Sequence, residues 1–515
     1  MTTWARPRTM VVIVGWICLA LACAATVLFP VSAGTVALSF IATAALASDR
    51  RFGPLPAALL VMLVTPYDRA ANMFLPRIAD VPVRPQDAAL LAGLILSVPR
   101  IRPSSIGSLR SPAAAAIAAF LLVGLVALVV GMVGDNAVRD ILRDARWWAL
   151  YGGGLLALVT GVTAPALVRA LLVGTTIFAA LVVCVAALPA FDGALKLRAL
   201  EFDDGPVRMQ FGNSTMLLAT LAASAVATIR RPTLSRWGWV VLIATAIGLS
   251  LGRTFIVVAI GVLVMATIAT LIEDRSRSGR RVRPLATGLP ALAVGLGIIL
   301  AVTLATFATS VTGFTVSLSP NSPSSSTIAG SAADPAAEDP AAAEPSAEPS
   351  AEPTAEPTED PLDRLLLQGD VSGMFSLGGR FYTYRSAVEV IAEAPIVGSG
   401  LGTLVDIPYS FGGEAFDTPG KLPNVDDAWL TVGMKAGLIG IVSFGIMIGL
   451  GVLAALRGPR WLRVWLVPAW LGILAMTVTQ SFATTGYGPF VIGLLIVLPL
   501  LGYTNRRAAL ARDHE

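Results

Sequence analysis

The sequence predicts an all-α polytopic membrane protein of about 12–14 transmembrane helices, with one large outward loop that contains a disordered strap and a small helical ectodomain. Three observations predict it. Of 515 residues, 55% are hydrophobic and only 14% charged, with a mean hydropathy of +0.75, whereas charged residues make up about a quarter of a soluble globular chain. Apolar runs suited to a bilayer recur along the chain, separated by short basic connections. That pattern stops only between Thr312 and Asp426.

The apolar runs fall near residues 10–30, 32–48, 54–66, 86–99, 112–133, 146–161, 165–189, 211–229, 236–251, 254–272, 285–311, 427–456, 461–480 and 486–503. Arg6 and Arg8 precede the first run, but Phe29-Pro30-Val31 is not a small-residue cleavage site, so the run reads as a span and not a signal peptide. Arg6/Arg8, Asp49-Arg50-Arg51, Arg100/Arg102/Arg110, Arg169, Arg230-Arg231/Arg236, the stretch Arg275 to Arg283, Arg457/Arg460/Arg463 and Arg506-Arg507 then all fall on one side. The positive-inside rule makes that side cytoplasmic, with both termini in it, as for a multi-pass protein of the plasma (inner) membrane. The runs at 54–66 and 86–99 are short, which suits tilted, re-entrant or partly interfacial segments. Taken as one helix, Trp237 to Ile272 would be about 54 Å long against a hydrocarbon core of roughly 30 Å. That predicts a hairpin turning at Ser250-Leu251-Gly252-Arg253 on the outer side.

The chain therefore divides into an N-terminal bundle (1–311), an extracellular linker (312–361), an ectodomain (362–426), C-terminal helices (427–505) and a cytoplasmic tail (506–515). In the linker, SAEPSAEPTAEPTEDP repeats a unit of small residue, Ala, Glu and Pro. Proline removes helix donors and little apolar surface is available to offset ordering entropy, so an extended acidic strap is expected. From Leu362 apolar residues return at helical spacing, as in Phe381, Tyr384, Val388, Ile391 and Ala392, ahead of a Gly/Pro turn at Pro395 to Gly402.

Composition also narrows the chemistry. The net charge of +4 comes from scattered topology-setting clusters, with no continuous basic face for nucleic acid; the partner expected from these runs is the lipid bilayer. Cys18, Cys23 and Cys184 sit inside apolar runs, which argues against a disulfide framework or a metal site. The single histidine, His514, is penultimate. No carboxylate motif for a metal is visible, and neither metal nor cofactor is expected.

Four outward features remain. GGRFYTYRSAVEVIAEAPIVGSGLG (378–402) places Arg380 and Arg385 near the start of a helix ended by Pro395. Paired arginines above a membrane suit a lipid diphosphate, because guanidinium binds phosphate bidentately and keeps its charge; their ordinary reading is a solvated helix face. Arg253 stands at the hairpin turn, where an arginine commonly snorkels to the interface. RMQFGNSTMLLATL (208–221) puts Arg208 and Asn213 at the mouth of a span, a place equally suited to a basic flank and a polar helix start. In NVDDAWLTVGMKAGLIG (424–440), Asp426 and Asp427 open the next span, as N-cap, general base, or one of each.

The order of these pieces, from Arg208 to Gly440, resembles the O-antigen ligase and polymerase superfamily of multi-span glycosyltransferases. In that family a segment like RMQFGNSTMLLATL precedes a Ser-Arg type turn, here Gly252-Arg253, then a large outward loop with an Arg-rich helix, Pro and Gly-x-Gly, here Arg380 to Gly402. A His-Asn-x-aromatic-Leu stretch then leads to Gly-Leu-Ile-Gly; this chain reads Asp426-Asp427-Ala428-Trp429-Leu430, with the glycines at Gly437 to Gly440. The family histidine is replaced by Asp426 and its asparagine by Asp427. The resemblance implies metal-independent transfer of a glycan from a polyprenyl diphosphate carrier to an acceptor glycan or glycolipid hydroxyl on the outer face. It implies Arg253, Arg380 and Arg385 on the diphosphate, with Arg208 and Asn213 in support, and Asp426, with Asp427 second, as base or acceptor-orienting group. A lipid or solute transporter and a non-catalytic, carrier-lipid-binding member of the superfamily are the alternative expectations.

Overall fold

A computed structural model describes residues 7–28, 32–65, 76–78, 81–101, 103–187, 214–249, 253–278, 290, 292–302, 377–406, 421–484 and 486–512. The expected strap, together with Arg208, Asn213 and most of the outward loop, lies outside the described residues. Of Arg253 and Arg380 the backbone alone is described.

The described chain is helical. In order the helices are α1 (Pro7–Leu28), α2 (Ala33–Leu46), α3 (Pro54–Val64), α4 (Pro85–Ser97), α5 (Pro112–Val133), α6 (Val138–Leu150), α7 (Gly153–Val159) and α8 (Ala164–Ala187). Then come α9 (Ser214–Arg230), α10 (Leu234–Leu249), α11 (Arg253–Ser278), α12 (Leu292–Val302), α13 (Leu377–Glu393), α14 (Ala428–Arg457), α15 (Arg460–Thr479) and α16 (Gly488–Arg512). Among the described residues the only sheet is two antiparallel pairs of two-residue strands, β1 (Arg77–Ile78) with β2 (Val81–Pro82) and β3 (Val405–Asp406) with β4 (Lys421–Leu422).

Five of the helices are long and apolar enough to cross a membrane: Pro112–Val133, Ala164–Cys184, Thr254–Asp274, Ala428–Arg457 and Arg460–Thr479. The chain is a helical membrane protein. On α5 the residues Leu122, Leu125, Val129 and Met132 are all more than half exposed and recur at helical spacing, an unbroken apolar stripe of the sort lipid covers. The opposite face, with Ile117, Phe120, Gly124 and Ala127, is buried against α14 and α6.

The short segment at 54–66 has a clear explanation. All residues of α3 are buried, between α2, α4 and α8, so it is apolar all round because protein surrounds it, and at 11 residues it needs no length to match a bilayer. The apolar run at 146–161 is not one helix. It divides into α6 and α7 at Tyr151-Gly152, where the triple glycine 152–154 lets α7 press against α16; a Cβ on Gly154 would sit 2.3 Å from the Gly493 carbonyl. The 237–272 stretch is two helices, α10 and α11, as its length requires.

One end of the bundle is tied by charge. Glu273 on α11 receives Arg463 at 2.9 Å and Arg460 at 3.3 Å, and Arg230 approaches Asp274 at 3.9 Å. From there α11 and α15 run antiparallel, since Gly472 faces Val262 and then Val258, and Leu218 of α9 meets the same glycine. The starts of α9 and α11 therefore lie beside the end of α15. There Thr477 Oγ1 accepts from Trp429 Nε1 at 3.1 Å, so α14 also begins at this end.

Gly154→Val should force α7 off α16 and lower the melting temperature of the purified protein in detergent, whereas the exposed change Leu122→Val should leave it within a degree or two.

Candidate functional site

Helix α14 is broken where it would otherwise bury its backbone. Gly437 has φ 59° and ψ −156°, outside the helical region, and the break leaves the carbonyls of Met434 and Lys435 and the N–H groups of Leu438 and Ile439 without their usual partners. The turn after α13 supplies all four. Ser399 N–H donates to Met434 O at 2.9 Å and Gly400 N–H to Lys435 O at 3.1 Å. In return Leu438 N–H donates to Pro395 O at 2.8 Å and Ile439 N–H to Ile396 O at 3.2 Å. The segment Pro395–Gly400 is thus stitched into the helix as a substitute turn.

So close an approach requires glycine on both sides of each contact, at Gly437 and Gly398 and at Gly400 and Gly131. A Cβ on Gly437 would lie 2.4 Å from Ile396 O, and one on Gly400, at φ 87°, would lie 2.2 Å from the backbone N of Gly131. On its other flank the segment is tied to α5, with Leu401 N–H donating to Ala127 O at 2.8 Å. Asn136, just past the end of α5, donates from Nδ2 to Leu401 O at 2.9 Å and Ser399 O at 3.2 Å.

A buried ion pair closes the arrangement. Lys435 on α14 and Asp144 on α6 are both fully buried and in direct hydrogen-bond contact through Nζ and Oδ2. Asp144 Oδ2 also accepts from Gly402 N–H at 2.8 Å, and Lys435 Nζ donates to Thr403 O at 3.2 Å. Arg143 Nε lies 3.6 Å from the other carboxylate oxygen and its Nη1 is 2.7 Å from Asp140. The charges therefore hold three elements, α6, α14 and the stitched turn. Beneath them runs an aromatic chain, Trp429, Phe444, Phe120 and Trp148, with centroids 4.9, 5.6 and 4.6 Å apart.

Of the residues expected from sequence, Arg385, Asp426 and Asp427 are described with their side chains, and Arg253 and Arg380 by backbone alone. Helix α13, which carries Arg380 and Arg385, docks on the first turns of α14 through Ala387 and Ile391 against Leu430 and Met434. Arg385 is exposed and pairs with Glu389 at 3.1 Å, one turn on. Asp427 is the N-cap of α14: it is buried, accepts from Leu430 N–H at 2.9 Å, and desolvation pushes its carboxyl up from the ordinary 3.8 against the pull of the Leu430 and Trp429 amides. Asp426 is exposed beside it. The backbone of Arg253 opens α11 at this same end, and α9 begins there directly after Asn213. Among the described residues no group of three or more His, Cys, Asp or Glu is placed to hold a metal.

Sequence reasoning overlooked Asp144, Lys435 and Asn136. A signal for two of them was present: a lone lysine eight residues into an apolar run needs a buried counter-charge, and VRDILRDARWW is the strongly amphipathic segment able to offer one. No family model matches the chain, and no curated protein matches its sequence.

Lys435→Met, which leaves the buried Asp144 with Arg143 at 3.6 Å as its remaining counter-charge, should cost about 3 kcal/mol of stability. The double change Asp144→Asn with Lys435→Met should recover much of that loss, and a thermal or denaturant double-mutant cycle measures the coupling. Because the Asp427 pKa is raised, the stability this group contributes is full below about its ordinary 3.8 and is lost as pH rises through the folded value. Asp427→Asn keeps the cap and should flatten that part of a stability-versus-pH curve, while Asp427→Ala should cost about 1 kcal/mol below the ordinary 3.8 and progressively less as pH rises through the folded value.

Proposed function

We propose that this chain is a membrane glycosyltransferase of O-antigen ligase or polymerase type. It transfers a glycan from a polyprenyl diphosphate carrier to an acceptor hydroxyl on the outer face of the plasma membrane, in cell-surface polysaccharide assembly. The observation that carries this reading is the stitched turn: it joins the arginine-bearing helix α13 to the start of α14, which bears Asp426 and Asp427. The backbone start of α11 at the same end, with Arg253, supports it further.

The reaction breaks the bond between the anomeric carbon and the diphosphate oxygen and forms one to the acceptor oxygen. The diphosphate leaves with the bonding electron pair, and its growing negative charge suits the permanently charged guanidinium groups of Arg253, Arg380 and Arg385, with Arg208 and Asn213 supporting. The acceptor proton passes to a carboxylate. Asp426 is the better candidate, being exposed where Asp427 is buried.

The break in α14 and its buried charge pair favour transport as a second reading, since carriers use interrupted helices with polar groups inside the bundle. In carriers those freed backbone groups bind the cargo. Here all four are taken by the turn after α13, which leaves transfer as the better reading.

Purified protein incubated with polyprenyl-diphosphate glycan and candidate acceptors should transfer the glycan. Arg380→Ala should abolish transfer and Asp426→Ala reduce it by about 10²-fold or more. Equal transfer by both variants would remove the assigned residues, and flux of the lipid across a vesicle membrane without transfer would favour the transport reading.

A further inference from the structure

Helix α14 changes surroundings at its break. Every residue from Thr431 to Gly437 is buried, on a stretch packed against α5, α13 and the stitched turn. Beyond the break Leu438, Val442, Ile446, Leu453 and Leu456 are exposed at helical spacing, an apolar stripe like that of α5. From Leu438 to Leu456 the stripe rises about 27 Å, close to the roughly 30 Å of a bilayer's hydrocarbon core. The break therefore stands at one edge of that core. Helix α5 gives the same level from its own length, since Gly131, whose backbone packs against Gly400 and Leu401 of the turn, lies about 29 Å along the helix from Pro112.

The tip of the turn is apolar and open at this level. Ile396 is 64% exposed and Val397 41%. Because the Ile396 carbonyl accepts from Ile439 N–H at 3.2 Å, the tip sits against the first turn of the stripe, where Leu438 and Ile439 are themselves exposed. From Ala394 to Val405 the chain carries no charged residue, although both flanks of that stretch do. Non-helical backbone is tolerated at membrane depth only where protein satisfies its polar groups. Pro395 brings no N–H, Gly398 N–H donates to Ala394 O at 2.9 Å, and the four exchanges with α14 engage peptide groups on either side of the tip.

We infer that Ile396 and Val397 are seated in the bilayer, as a wedge at the edge of the hydrocarbon core that continues the stripe of α14. Phospholipid acyl chains are the occupant, because the patch runs without a gap into a stripe of the kind they cover. Glu393, exposed three residues earlier, then falls in the headgroup layer, about 5–8 Å thick on each side. The segment that sequence places wholly outside the membrane is thereby anchored in it, and the wedge sets the height of α13 on the bilayer. Nothing in this inference rests on glycan transfer.

Nitroxide labels on the full chain in phospholipid nanodiscs, with Cys18, Cys23 and Cys184 replaced by alanine, test the wedge through collision with oxygen, which concentrates among acyl chains, and with a water-soluble nickel chelate. Labels at Ile396→Cys and Val397→Cys should give an oxygen-to-chelate accessibility ratio close to that of Val442→Cys, on the stripe, and severalfold above that of Glu389→Cys, on the exposed face of α13. Val397→Cys reports even where Ile396→Cys disturbs the stitched turn. A ratio at both positions equal to that of Glu389→Cys overturns the inference. Exclusion of both reagents also overturns it, since protein then covers the tip, and spin–spin broadening tells a second copy of the chain from a segment of the same one.

Discussion

The structure depends on an exchange of four backbone hydrogen bonds at the Gly437 break in α14. In a bilayer or a packed bundle, freed peptide groups cost several kcal/mol each, so an interrupted helix persists only where other protein groups replace the lost partners. The turn after α13 does so with matched donors and acceptors. Its geometry is demanding: backbone passes backbone at distances that only glycine tolerates, at Gly437 on one side and Gly400 on the other. Helix α13, which leads directly into the turn, is oriented by this insertion.

The buried pair of Lys435 and Asp144 answers a different problem. A hydrogen-bonded turn fixes the register of α14 against the loop, but not of α6 against either. A charge pair with no access to water is poor evidence of net stability, because desolvation offsets most of the attraction. Its effect is selective: any other placement of α6 leaves a bare charge inside the bundle. Gly402 and Thr403 contribute an N–H and a carbonyl to the two charges, so the pair recognises the turn as well as the helices.

The two ends of the bundle consequently differ. One is held by the exposed or partly exposed pairs of Glu273 with Arg460 and Arg463, which water and salt screen. The other also carries exposed or partly exposed pairs, Arg385 with Glu389 and Asp87 with Arg146, but it holds one pair away from water altogether, Asp144 with Lys435. Such water-poor polar surroundings give a fixed charge its greatest effect on a developing anion. That asymmetry is the physical ground for seeking chemistry at the end where α14 begins.

Much of the scaffold was legible in the chain. The apolar runs indicated the helices, since a bilayer demands continuous apolar length, and the length of 237–272 alone required a break. Asp427 as a cap was readable from an aspartate next to a helix start. The division of 146–161 was not, because apolar residues and glycines satisfy hydropathy whether or not the helix continues. Nor was the full burial of α3, which is set by neighbours far along the chain. The break at Gly437 lay hidden within GLIG for the same reason: a glycine permits a non-helical turn, and only a second segment bringing four hydrogen bonds makes that turn the stable choice. Composition and periodicity thus determined that this protein is a membrane helix bundle and roughly where its helices run. The meeting of residues 258 and 291 positions apart, at Gly402, Asp144 and Lys435, was decided by tertiary structure alone, because a local pattern carries no record of which distant charge will neutralise it.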